Sequence, residues 1–382
     1  MIYLDHAAAT PLSKHAFEEM KPYFDADFFN PSAAYLPAQQ LRHRYEAAKD
    51  QIAHIIGAKG ADLVMTSGAT ESINLAFSTI RPGAKILISA AEHQAVRACA
   101  ERSGNYSTIR IDKNARVDLA DFEKQLDAET EFVSVCLVTS ETGTLQPISD
   151  IAALIAKERQ RRALNDEKRP LYFHCDASQG LGLMEVKVAR LGVDLLTLNA
   201  AKVYGPKGIG ALYIGHGVKI SAQSVGGGQE MGLRSGTENV PATIAFATAL
   251  TDAQNHLVAE KKRLQNLKKI LVKKLETIPN IEFHGNAKTQ LPSFVSFSVP
   301  GVDAERVIFA LEDQEIYLST GAACAASKGI KSPTLKAMGL SDASIAGSLR
   351  ISMGKLNDEE NIKQAADAIC EVIAFEQGRM NK

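Results

Sequence analysis

Short apolar, β-branched runs alternate with longer stretches of helical periodicity along much of this 382-residue chain. Runs at 63–66, 86–89, 132–138, 171–174, 195–198 and 210–214 read as strands. Between several of them, apolar positions recur at helical spacing, as over 148–160, and predict amphipathic helices. Strand–helix alternation predicts an α/β fold with a mostly parallel sheet covered by helices on both faces. Such sheets bind ligands beyond the carboxyl ends of their strands, where loops converge. After about residue 240 the pattern changes. Positions 240–275 read as one long helix or a helix pair, with Pro241 near the start and Lys and Glu enriched later. The run 294–299, Phe-Val-Ser-Phe-Ser-Val, alternates apolar and small polar residues and predicts a half-exposed strand. A helix over 303–312 and a strand-to-loop stretch over 316–327 follow, so a second, smaller α+β domain begins near residue 260. The glycine-rich stretch 225–237 is too short and mixed for a linker and reads as an ordered loop.

Composition narrows the classes. The chain is 45% hydrophobic and 23% charged, with a formal net charge of -1. That balance provides no strong field for a nucleic acid, so direct nucleic-acid binding is not expected. No apolar run reaches the length of a membrane span, and the N-terminus lacks the charged and apolar regions of a secretory signal. The five cysteines are scattered, with no Cys-x-x-Cys spacing. This fits reduced thiols in a cytoplasm better than a disulfide framework or a metal site.

Several segments carry possible chemistry, each with a plainer alternative. Lys202 lies between two strand-like runs, 195–198 and 210–214. A desolvated lysine sheds its proton more readily and can hold an aldehyde as a Schiff base. Lys207, in the turn that follows, competes for that role, and most lysines are solvated surface groups. The segment 65–76 runs from a strand through a small-residue turn, with Ala69 and Thr70, into a helix. Free N–H groups there can cradle phosphate, or the turn is simply capped. Asp176 closes a strand, where a carboxylate can pair with a protonated ring nitrogen, with Gln179 close by; it could equally cap the next helix. His93 follows another strand and can stack on a flat ring or move protons. Cys324 sits in a small-residue loop with Lys328 and Lys331 after it, a setting that favours thiolate. Arg350, inside an apolar run, calls for a carboxylate or phosphate, or for a structural ion pair.

Taken together and in this order, these segments resemble the NifS/IscS-like cysteine desulfurases, pyridoxal-phosphate enzymes of the aminotransferase class V group. The resemblance runs from 3–11 (Tyr-Leu-Asp-His-Ala-Ala-Ala-Thr-Pro) to 350–354 (Arg-Ile-Ser-Met-Gly). It includes Asn-Pro-Ser at 30–32, Thr-Ser-Gly-Ala-Thr-Glu-Ser at 66–72, Glu-His-Gln-Ala-Val at 92–96 and His-Cys-Asp-Ala-Ser-Gln at 174–179. It continues through the lysine segment 202–213, Gly-Gly-Gly-Gln-Glu at 226–230 and Arg-Ser-Gly-Thr at 234–237.

The resemblance implies a fold type I transferase. Its large sheet domain would span 15–259, and its small domain 1–14 and 260–382, carrying the cysteine loop. By position, Lys202 resembles the Schiff-base lysine, Asp176 the partner of the pyridine nitrogen, and Gln179 the donor to the phenolic oxygen. His93 resembles the stacked histidine, and Ala69 and Thr70 fall in the phosphate cup. Thr237 resembles a phosphate ligand given by the other subunit of a homodimer. Asn30 and Arg350 resemble the binders of the substrate carboxylate, and Cys324 the nucleophile that takes sulfur as a persulfide. The implied reaction converts L-cysteine to L-alanine. Sulfur then passes to an acceptor protein, an iron-sulfur scaffold or a tRNA-thiolation protein.

The chain departs from the family pattern beside the lysine, where Asn199 and Ala201 replace the usual Ser and His. Ser140 likewise replaces an asparagine that reaches the cofactor. Two other functions compete. A different class V enzyme, an aminotransferase or selenocysteine lyase, would share the cofactor, although an aminotransferase has no use for Cys324. A cofactor-free sulfur-transfer scaffold draws support only from the altered phosphate cup.

Overall fold

The computed structural model describes residues 1–321 and 332–380. Its larger sheet has seven strands, in the spatial order Leu63–Thr66, Gly210–Ile214, Leu195–Asn199, Tyr172–Asp176, Thr130–Ser134, Lys85–Ser89 and Tyr106–Ile109. Gly210–Ile214 runs antiparallel to both neighbours, and the remaining pairs are parallel. Side chains alternate between two cores. Leu87, Val133 and Leu196 join one cluster, whereas Ile86, Ile88, Phe132, Leu195 and Leu212 join another on the opposite face. A sheet buried on both faces needs near-continuous apolar strands, which is why these runs stood out in the sequence. Tyr106–Ile109 did not stand out, because as an edge strand it buries only Ile109.

The run 132–138 is shorter as a strand than the sequence suggested, ending at Ser134. Its ladder nevertheless continues, as Val135 N donates to His174 O and Leu137 N to Asp176 O. Positions 240–275 form one helix, Val240–Leu275, with the Asn239 side chain accepting from Ala242 N at its start. Buried apolar side chains up to Ala253, such as Phe246 and Leu250, belong to the first core, while Ala245 and Ala249 pack with Ala16 of helix Lys14–Met20. From Leu264 onward the buried apolar side chains belong to a separate core shared with 295–318, 349–353 and 362–373.

A second sheet orders Ser319–Thr320, Ser348–Ser352, Phe294–Ser298 and Glu282–His284, all antiparallel. The strand at 294–298 departs from its expected half-exposure, since all five residues are buried. Its apolar positions Val295 and Phe297 face the second core. The polar stripe is also covered: Ser298 Oγ meets His284 Nε2 at 2.6 Å, and Phe294 packs against the turn at Gly143. The N-terminal strand Ile2–Tyr3 pairs in parallel with Ile316–Tyr317, and Asp5 bridges Ser352. The chain thus crosses residues 5–9 between the two bodies. Among the described residues no helix is long and apolar enough to cross a membrane.

Candidate active site

A cavity of about 560 Å³ opens where the parallel strands of the large sheet end. It gathers Ala69, Thr70, His93, Ser140, Asp176, Gln179, Asn199, Lys202 and Arg350, drawn from segments far apart in the sequence. Asn30 and Thr237 are exposed and do not line it. Cys324, with Lys328 and Lys331, lies outside the described residues.

The loops build the site from local rules. Strand Leu63–Thr66 passes through Gly68, at φ +142°, into helix Ala69–Phe77. A Cβ at Gly68 would meet nothing within 4 Å, so the space above the helix N-terminus is open. Beneath it runs Gly210, where a Cβ would lie 2.8 Å from Gly68 Cα. Only glycine lets the antiparallel strand pass so close. Glu71 accepts from Ser67 N at 2.5 Å and pairs with Arg234 at 3.1 Å, tying the cup to the glycine-rich loop. That loop is ordered as expected, since Glu230 inside it is buried and accepts from Met65 N at 2.7 Å and Lys49 Nζ at 3.2 Å.

His93 caps helix Gln94–Ser103, its Nδ1 accepting from Ala95 N at 3.1 Å. Asp176 ends its strand 7% exposed, with Oδ1 accepting from Ser178 N at 2.9 Å. A turn follows rather than a helix, the next helix being Val188–Leu191, so the helix cap expected as the alternative is not formed and Asp176 lines the cavity. Lys202 follows strand Leu195–Asn199 in a single 3-10 turn that Asn199 caps through Ala201 N at 3.2 Å. It is half-buried, and Nζ donates to Ala7 O at 2.8 Å and to Ala8 O. Lys207 is exposed, donates to Thr10 O at 2.6 Å and does not line the cavity. The two lysines left open by the sequence are thus separated by position.

Arg350 is 5% exposed in the strand Ser348–Ser352. It forms an ion pair with Asp5 at 2.6 Å and donates to Ser140 O at 3.1 Å, yet it also faces the cavity. Sequence reasoning missed the contribution of residues 5–9. Ala7 O accepts from both Lys202 Nζ and Gln179 Nε2, the latter at 2.9 Å. A backbone carbonyl has no side-chain signature, so only the acidic Asp5 in a largely apolar run could have signalled the segment.

Sequence reasoning also passed over Glu92, which lines the cavity at 3% exposure. Its Oε1 accepts from Cys136 N at 2.7 Å, while Oε2 is buried without a hydrogen-bond partner. Burial, reinforced by the Asp176 charge, pushes its carboxyl well above the usual range. Burial likewise pushes up the Cys136 and Cys175 thiols, which makes them inert as nucleophiles. Burial pushes His174 down to about 4, keeping it neutral between Ser134 and Thr197 behind Asp176.

The aminotransferase class-V family profile matches residues 2–365. The chain belongs to this family. Among class V proteins it is 36% identical to the cysteine desulfurase IscS of Dictyoglomus turgidum, over 97% of this chain and 94% of that protein. It is 34% identical to the cysteine desulfurase IscS of Methanosarcina thermophila, over 97% and 92%. Among solved structures, a NifS-like protein superposes with a TM-score of 0.89 at 29% identity, covering 98% of this chain and 99% of the other. SspA in complex with cysteine superposes at 0.77 and 28% identity, covering 92% and 99%. The architecture is the fold type I arrangement of this class V group, a large mostly parallel sheet beside a smaller α+β body.

Proposed function

We propose that this chain is a pyridoxal-phosphate-dependent cysteine desulfurase, converting L-cysteine to L-alanine and passing the sulfur through Cys324. The observation that carries the reading is one cavity holding Lys202, Asp176, His93 and the open helix N-terminus at Gly68. An amine, a carboxylate, an imidazole and a phosphate cradle are the donor set this cofactor requires, so the residues present fit it. Lys202 would bind its aldehyde, Asp176 its ring nitrogen, and Gln179 its phenolic oxygen. His93 would lie on the ring. Ala69, Thr70 and Asn199 would hold the phosphate, with Thr237 of the partner subunit in a homodimer, and Ser140 would stand at the ring's edge. When bound, the cofactor supplies an electron sink that labilises bonds at the substrate's α- and β-carbons.

The chain's own groups do the rest. Arg350, which unlike Asn30 lines the cavity, orients the substrate through its carboxylate. Lys202 is the amine placed to take and return the α-proton. The Cys324 thiol forms an S–S bond as the substrate's Cβ–S bond breaks, leaving a persulfide on Cys324 and releasing alanine. The persulfide sulfur then moves to an acceptor protein, an iron-sulfur scaffold or a tRNA-thiolation protein, in the cytoplasm. Two domains serve this division of labour: 15–259 for the cofactor, and 1–14 with 260–382 for the cysteine loop.

One spectrum tests the cofactor. After incubation with pyridoxal phosphate, the protein should gain a visible absorbance band that Lys202→Ala abolishes; a colourless wild type would end the proposal. Cys324→Ala should keep that band and lose sulfide and alanine release. Full turnover by that variant with an acceptor would refute the persulfide route.

A further inference from the structure

We propose that Asp5 is a positioning residue for the substrate's carboxylate. It grips the Arg350 guanidinium from one side and so fixes how this cavity-lining side chain meets the incoming carboxylate. The inference rests on the reading of Arg350 as the carboxylate binder and adds the residue that aims it.

The guanidinium is planar, so fixing two of its nitrogens fixes the whole fork. Nη2 donates to Asp5 Oδ1 at 2.6 Å and Nη1 to Ser140 O at 3.1 Å. Nε is buried with no hydrogen-bond partner, on a side chain that lines the cavity. A buried donor without an acceptor carries a desolvation cost that a ligand oxygen would relieve. Asp5 is itself held independently of any ligand. Its backbone bridges Ser352, two residues beyond Arg350, and the Tyr3 hydroxyl donates to Asp5 O at 2.8 Å and Ala9 O at 2.9 Å.

Asp5 also settles which acid owns the arginine. Glu141 lies within electrostatic reach of Arg350 and is hydrogen-bonded by Ser332 Oγ. If Asp5 loses its charge, Glu141 becomes the competing carboxylate, and pairing there withdraws N–H groups from the substrate. A fixed, already paired arginine therefore serves a small zwitterionic amino acid better than a free one does.

The test compares two amines that differ by one carboxylate. L-alanine and ethylamine are titrated into the pyridoxal-phosphate-loaded protein, and the change in visible absorbance is followed. Asp5→Asn should raise the half-saturating L-alanine concentration about tenfold and leave that of ethylamine within about twofold. The ethylamine response also reports that the variant is folded and loaded. Equal weakening of both amines would mean a merely structural role. Unchanged or tighter L-alanine binding would make Asp5 a bystander or a competitor. Each of these results overturns the inference. If Asp5→Asn does not fold, Tyr3→Phe carries the test: it should weaken L-alanine about threefold with ethylamine unchanged, and the absence of that selectivity overturns the inference. Arg350→Gln separates the two levels. If it leaves L-alanine binding intact, the carboxylate reading of Arg350 falls, and with it this inference. If it weakens L-alanine while Asp5→Asn does not, only the role of Asp5 falls. A protein that takes up no cofactor removes both.

Discussion

At the residue scale, the proposed phosphate cup beside Lys202 is short of one donor. Asn199 spends its Oδ1 on Ala201 N, and the methyl group of Ala201 lines the cavity with nothing to offer a phosphate. A charge-assisted hydrogen bond contributes about 1.5–3 kcal/mol. Ala201→His should therefore tighten pyridoxal phosphate binding about tenfold or more, read as a lower Kd in an absorbance titration. Glu92 makes a pH-dependent prediction. Its folded carboxyl holds the proton above the pH where an unfolded glutamate, near 4.3, gives it up. The native state thus binds more protons over that window, and the stability this provides is complete at low pH and lost as pH rises toward the raised value. Glu92→Gln keeps the shape and removes the titration. Its Tm relative to wild type should be higher at pH 8 than at pH 5, and a difference independent of pH would contradict a buried neutral acid. Little of this was legible in advance. Glutamate beside His93 reads as an ordinary polar residue until the 3% exposure and the partnerless Oε2 are known.

At the element scale, legibility followed burial. Strands buried on both faces, such as Leu195–Asn199, announce themselves as apolar runs. The stripe of serines in Phe294–Ser298 misled, because a polar face turned toward another part of the same protein has the pattern of one turned toward water. The turn 139–144 is where that face is met. Gly143 adopts φ +72°, and a Cβ there would lie 2.4 Å from Phe294 Cβ. Left-handed strain of about 1–2 kcal/mol and overpacking of about 1–3 kcal/mol act together. Gly143→Ala should lower stability by about 2–5 kcal/mol in denaturant titration. It should also weaken substrate binding, since the same turn presents Ser140 O to Arg350. A variant as stable as wild type would show that the turn relaxes freely.

At the scale of the whole molecule, helix Val240–Leu275 is the common member. Its first half is buried mainly in one core and its second half in the other. The change of pattern near residue 240 was visible in the sequence, but the continuity of the helix across both cores was not, because a period of 3.6 residues says nothing about which partner each turn meets. A helix that frays at one end loses its register with the other, so both cores should melt together. Leu271→Ala removes a fully buried side chain from the second core, at a cost of about 2–5 kcal/mol. Calorimetry should show one transition shifted downward; two separable transitions would refute the coupling. The same long-range economy governs the cavity. Its N-terminal contacts join residue 7 to residue 202 and residue 5 to residue 350. During synthesis, Asp5 leaves the ribosome 345 residues before the arginine it pairs with. The nascent segment 5–9 therefore waits for its partners, and the pocket is complete only after the strand that carries Arg350 has emerged.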